Sequence, residues 1–215
     1  MMTWEITESR EEEVANATLH GLGAAMGVAV LVVLVVLSAL HGTAINIVTS
    51  AVFGGSLVLL YLSSTLYHAF TWPRAKQFWE LMDHSVIYVL IAGTYTPFAL
   101  VTLGGAWGWS MFGVVWGLAA AGIVVQVVFP GRFRPLMTAL YIAMGWLVVV
   151  AGIPLFSALA PAGIAWVAAG GVLYSVGVFF YYKKRFTFSH AVWHVFVLAG
   201  SACHVVAILN YVVPR

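Results

Sequence analysis

Charge is scarce in this sequence. Of its 215 residues only 7% are Asp, Glu, Lys or Arg, against about 25% in a soluble globular domain. That deficit excludes a water-soluble globular class. The nine basic residues are scattered rather than gathered into a patch, which excludes a nucleic-acid surface. Cysteine is nearly absent: Cys203 stands alone inside an apolar run, so no intrachain disulfide forms and the thiol reads as a small buried apolar group. The opening residues lack the basic segment of a secretory signal. Glu5, Glu8, Glu11, Glu12 and Glu13 stand there against Arg10 alone, so no signal is expected. Strict apolar–polar alternation is missing too, which excludes the strands of a membrane barrel. There is no internal repeat.

Apolar residues, by contrast, make up 63% of the chain. They fall into seven runs: about Thr18–Leu40, Ile45–His68, Leu81–Thr102, Trp107–Phe129, Leu136–Ser157, Ile164–Tyr182 and Phe188–Val213. A helix needs about 20 residues to cross a bilayer, and a crossing segment must pair its backbone internally. The expected fold is all-α: a polar acidic segment over residues 1–17, then a single transmembrane domain of seven helices over residues 18–213. The breaks are His41-Gly42, a polar loop after Trp72-Pro73 holding Arg74, Lys76 and Glu80, then Gly104-Gly105, Pro130–Pro135 and the Pro161–Gly163 region. These short loops leave no room for a second domain.

Basic residues set the expected orientation. Arg10, Arg74, Lys76, Arg132, Arg134, Lys183, Lys184 and Arg185 share one side, and Arg215 alone lies on the other. Lys and Arg in short loops mark the cytoplasm. The N-terminus is therefore expected inside and the C-terminus outside, in a multi-pass protein of the cell membrane. Lys183, Lys184 and Arg185 also suit anionic headgroups. Gly23 with Gly27, and Gly113 with Gly117 and Ala121, recur every four residues and read as helix-packing positions. Trp72, Trp79, Trp107 and Trp109 read as interfacial anchors.

Ionisable groups inside spans are costly and mark function. Here they are His20, His68, Asp83, His84, His190, His194 and His204. On a helix His190 and His194 sit about 40° apart and one turn along, and His204 lies roughly 21 Å beyond His190. With the topology above, His68, Asp83, His190 and His194 share one depth near the inner leaflet. Three imidazoles leave a fourth zinc position open, the pattern of a catalytic site. Asp83 is then the candidate general base, and Ser64, one turn before His68, a supporting hydrogen-bond partner. The bland readings stand beside these: a lone interfacial His is more often a polar belt residue than a ligand, His84 reads as structural or interfacial, His204 as a buried contact between helices, and His41 as an exposed turn residue.

At these residues the chain resembles a known family. Ser64-Ser-Thr-Leu-Tyr-His68, Asp83-His84 followed by Ala92-Gly-Thr-Tyr-Thr-Pro-Phe98, and Ser189-His190-x-x-x-His194 with His204 are similar to the hemolysin III proteins, the bacterial branch of the progestin and adipoQ receptor superfamily. Asn16, His20 and Gly21 fit the family's opening stretch, and the likeness runs from about Glu12 to Asn210. The resemblance implies seven helices with the N-terminus inside. It also implies zinc on His68, His190 and His194, with Asp83 contacting the water at the metal. Adiponectin receptors of this superfamily are similar to ceramidases in activity. Two departures stand out. Some 17 polar residues replace the receptors' long N-terminal region, and His84 stands where the receptors usually have tyrosine.

The function expected from this is a zinc-dependent membrane hydrolase of a lipid amide or ester, with lipids as substrate or ligand. The alternatives are a non-enzymatic regulator or sensor of membrane state with a structural zinc, and a lytic or pore-forming protein. No span carries a polar stripe fit to line a wide channel. Haem between helices is a remote third. The substrate and the oligomeric state are not legible.

Overall fold

The computed structural model describes residues 8–150, 152–182 and 187–214, and among these every regular element is helical. Helix α1 (Arg10–His41) starts eight residues before the expected span. Its start is a capping box: Ser9 Oγ accepts from Glu12 N at 3.2 Å and the Glu12 carboxylate accepts from Ser9 N at 2.9 Å. From Arg10 on, the acidic segment is thus the first turns of a membrane helix. Gly42 closes α1, and α2 (Ala44–Ala69) begins where Asn46 Oδ1 accepts from Thr43 N at 2.9 Å.

Helix α3 (Pro73–Pro97) places proline at its first position, where the missing N–H costs nothing. Arg74, Lys76 and Glu80, expected in a loop, therefore ride on its first two turns. Pro97 does not end the span. The chain continues as a π-helical stretch, Phe98–Leu103, closed by Gly104 N donating to Ala99 O at 2.9 Å. Gly104 and Gly105, at φ 59° and 52°, then turn the chain through backbone open to glycine.

Helix α4 (Gly105–Val128) follows. The expected fifth span is broken: α5 (Arg134–Gly145) runs through a 3-10 turn, Trp146–Val149, then bends by 57° into α6 (Gly152–Ala158). Gly145, Gly152 and Pro154 bracket the bend, residues that weaken a helix interior. Pro161 opens α7 (Pro161–Tyr182), and α8 (Ser189–Tyr211) is last. Six helices are long and apolar enough to cross a bilayer, and the bent pair brings the total to seven.

Helices α1, α2 and α3 pack in sequence, α7 packs on α8, and α8 closes against α1. Leu34, Phe53, Leu57, Leu60, Val197 and Ile208 form the main core. Leu22, Met26, Leu40 and Ile153 point outward, as lipid-facing residues do. Gly23 and Gly27 lie where helices approach closely, with Leu198 and Tyr61 over the first and Val58 over the second. Gly113 and Gly117 have nothing within 4 Å of an added Cβ, and Ala121 is exposed, so this stripe packs on nothing among the described residues. The buried face of α4 is instead Met111, Val115, Ala119, Gly122 and Gln126.

Contacts tie one end of the bundle together. Lys76 Nζ meets Glu13 Oε1 at 2.6 Å, Arg134 meets Glu80 at 2.8 Å, and the Glu12 carboxylate accepts from Phe188 N at 2.7 Å. The starts of α1, α3, α5 and α8 therefore share one end, as alternate loops on one side require. Lys183, Lys184, Arg185 and Arg215, on which the orientation also rests, lie outside the described residues.

Candidate metal centre

The site is built where α1, α2 and α8 converge at that end. His68 sits in the last turn of α2, and His190 and His194 in the first two turns of α8. The structure brings the three together: one ring nitrogen from each lies within 4.8 Å of the others. His194 Nε2 and His68 Nε2 are 3.1 Å apart, close to the roughly 3.3 Å expected of two nitrogens about 2.0 Å from one tetrahedral ion. His68 and His194 are buried and His190 is partly open.

A fourth imidazole joins them. His20 of α1 lies against His194 with ring centroids 3.7 Å apart and planes tilted by 52°, and it edges Tyr61 at 5.0 Å. Its two ring nitrogens, His194 Nδ1 and Ser64 Oγ are all buried without a hydrogen-bond partner. Buried polar atoms are paired in the great majority of cases. Such a concentration of unmet nitrogen and oxygen is what a cation and its water would complete, so the donor set fits a divalent metal of imidazole preference such as zinc.

The outer nitrogens of two of the histidines face carboxylates from the polar acidic segment ahead of the first expected span. His68 Nδ1 donates to Glu13 Oε2 at 2.7 Å, and His190 Nδ1 lies 3.0 Å from Glu8 Oε1. Glu8 Oε2 also accepts from Asn16 Nδ2 at 2.8 Å. These glutamates are the site residues that the sequence reading missed. The signal was available: Glu13, Asn16 and His20 recur at steps of three and four, one helical face.

Asp83 lines the same cavity as His190 and His194, yet its carboxylate belongs neither to the histidine cluster nor to the second group able to hold a cation, Glu8, Glu13 and His68. Ser64 is fully buried one turn before His68. His84 lines the cavity as well; its Nδ1 donates to Glu80 O at 2.7 Å and Tyr141 donates to its backbone oxygen at 2.9 Å. His204 does lie between helices, but it is held by stacking on Tyr174 and lying over Gly170 rather than by a hydrogen bond at Nδ1. His41 is exposed.

From His190, His194 and Asp83 a cavity of about 930 Å³ runs between α3, α5, α7 and α8 as far as His204 and Trp146. Its walls include Ile87, Leu90, Ile91, Val178 and Val197. His204 is ten residues past His194, about 15 Å along the helix. The volume falls within the ~300–1,000 Å³ of small-molecule sites, and the apolar walls suit a hydrocarbon chain.

A polytopic helical membrane protein with a histidine cluster at one end of an apolar cavity is the class so defined. Comparison with known proteins narrows it: the Haemolysin-III related family matches residues 8–205, and the chain belongs to that family. It is 45% identical to "Hemolysin-3" of Bacillus cereus, over 97% of this chain and 95% of that protein. It is 48% identical to the "Hemolysin-3 homolog" of Bacillus subtilis (strain 168), over 94% and 95%. A distant relative, the "Monocyte to macrophage differentiation factor" of Homo sapiens, is 27% identical over 76% of this chain and 70% of its own length.

Proposed function

We propose that this protein binds zinc on His68, His190 and His194 and hydrolyses an amide or ester bond of a membrane lipid. The observation that carries the reading is the gathering of three imidazole nitrogens within 4.8 Å, two of them on residues that line a largely apolar cavity. When bound, zinc supplies water activated near neutral pH and a Lewis acid for a carbonyl. The chain does the rest. The cavity walls hold the hydrocarbon chain and keep water from it. Asp83, which lines the same cavity as His190, takes the proton released as water attacks. Ser64 offers its hydroxyl one turn from His68, where it orients a polar group at the metal side. The basic residues of this end support a site at the cytoplasmic face of the cell membrane.

The test is elemental analysis of the purified protein together with a lipid hydrolysis screen. One bound zinc and release of a fatty acid, lost together in a His190→Ala/His194→Ala variant, are expected. Full zinc occupancy in that variant would refute the assignment. A second reading, zinc as a structural tie in a non-enzymatic sensor, draws on Asp83 standing outside the histidine cluster. Zinc without any lipid turnover favours it. The relatives' name points to lysis, and dye release from liposomes that survives loss of all three histidines would favour a lytic protein instead.

A further inference from the structure

We propose that Glu13 is a positioning residue for the metal centre, setting the tautomer and the orientation of His68, and that Lys76 holds it in place. The inference rests on the zinc reading above. An imidazole can offer one nitrogen to a metal only if that nitrogen carries no proton, and the hydrogen bond made by the other nitrogen decides which one that is. His68 Nδ1 lies 2.7 Å from Glu13 Oε2. A carboxylate at that distance only accepts, so the proton stays on Nδ1. Nε2 is left bare, and it is Nε2 that faces His194 Nε2 at 3.1 Å.

The contact spans three helices. Glu13 belongs to α1 and His68 to α2, and Lys76 Nζ of α3 holds the other carboxylate oxygen at 2.6 Å while also reaching Tyr67 O at 3.3 Å. The glutamate thus has both oxygens committed, which fixes its plane. His68 cannot turn without losing that bond, because Tyr67, His190 and His194 rings lie within 5.1 Å of its own on other sides. Glu8 makes a parallel contact to His190 Nδ1 at 3.0 Å. Glu8, just before α1, and Glu13, in its first turns, therefore hold the outer nitrogens of two of the three histidines. Carboxylate partners of this kind raise ligand basicity, and their loss typically costs about 10–100-fold in metal affinity.

The experiment measures zinc affinity of the full chain in detergent by competition with a chromophoric chelator, with cobalt absorption as a second readout. Glu13→Ala is expected to bind about 10–100-fold more weakly than the native chain and to show shifted cobalt bands. Glu13→Gln, whose amide oxygen can accept the same hydrogen bond without the charge, is expected to fall between the two. Lys76→Met should weaken binding less than Glu13→Ala. Native affinity and an unchanged cobalt spectrum in Glu13→Ala would overturn the inference while leaving the zinc reading intact. If Glu13→Ala fails to fold, Glu13→Gln decides, and native affinity there overturns the role of the charge. A native chain that takes up neither zinc nor cobalt sinks the metal reading itself, and this inference with it.

Discussion

The two ends of the α1–α2 pair handle buried polarity in opposite ways. At one end Ser38 Oγ and Ser50 Oγ, both buried, pair with each other at 2.8 Å, and Thr43 and Asn46 close a helix cap. All these groups are neutral, and none of them is left wanting a partner. At the other end four imidazoles and two carboxylates crowd together. There Ser64 Oγ, His194 Nδ1 and the two nitrogens of His20 stay unmatched. The same two helices can satisfy their polar groups when structure is all that is asked. The end that does not do so is the one where the proposed metal would complete the set.

That contrast can be broken first at the histidines. His190→Ala/His194→Ala is expected to remove bound zinc entirely by elemental analysis, with any lipid hydrolysis gone as well. Gly122→Ala comes next in size and strikes packing alone. Its Cβ would run into the buried Tyr88 ring, so thermal unfolding should show a loss of about 1–3 kcal/mol while the folded fraction keeps its zinc. Ser38→Ala leaves the Ser50 hydroxyl alone at the neutral end. A loss of about 1 kcal/mol with unchanged zinc affinity is expected; a fall in affinity would show the ends to be coupled. Gly117→Ala should be the quietest, within about 0.5 kcal/mol of the native chain, since nothing lies near its Cβ. A larger effect there would reveal a partner on that face of α4.

Much of this was legible in the sequence. Hydropathy alone places the helices, because crossing a bilayer demands long uninterrupted apolar runs. Alternate-loop logic brings His68 of α2 to the same end as His190 and His194 of α8. What hydropathy cannot see is a helix that continues past its apolar part. Glu11–Glu13 look like a solvated tail, and Arg74, Lys76 and Glu80 look like a loop, since each interrupts the apolar signal. The better signals were local chemistry: Ser9-x-x-Glu12 as a capping box and proline at the first position of α3. The break between α5 and α6 was missed for the converse reason, its residues being as apolar as the helices they separate. The stripe Gly113, Gly117 and Ala121 shows that small residues at helical spacing do not name their partner. The pairing of Glu13 with His68 spans 55 positions, and no local pattern links the two.

Helix α1 has 32 residues, about 48 Å of rod, whereas the oily slab of a bilayer is roughly 30 Å thick. If it stands upright, part of it clears the hydrocarbon, and on the site's side the polar turns from Arg10 onward, with Glu8 just before them, are the ones suited to do so. In the proposed arrangement the four imidazoles would meet at the border zone where glycerol and sphingoid backbones carry their ester and amide linkages. A lipid lying in its own leaflet would present its cleavable bond there without being lifted out of the bilayer, its tail sliding sideways into the protein at the depth it already occupied.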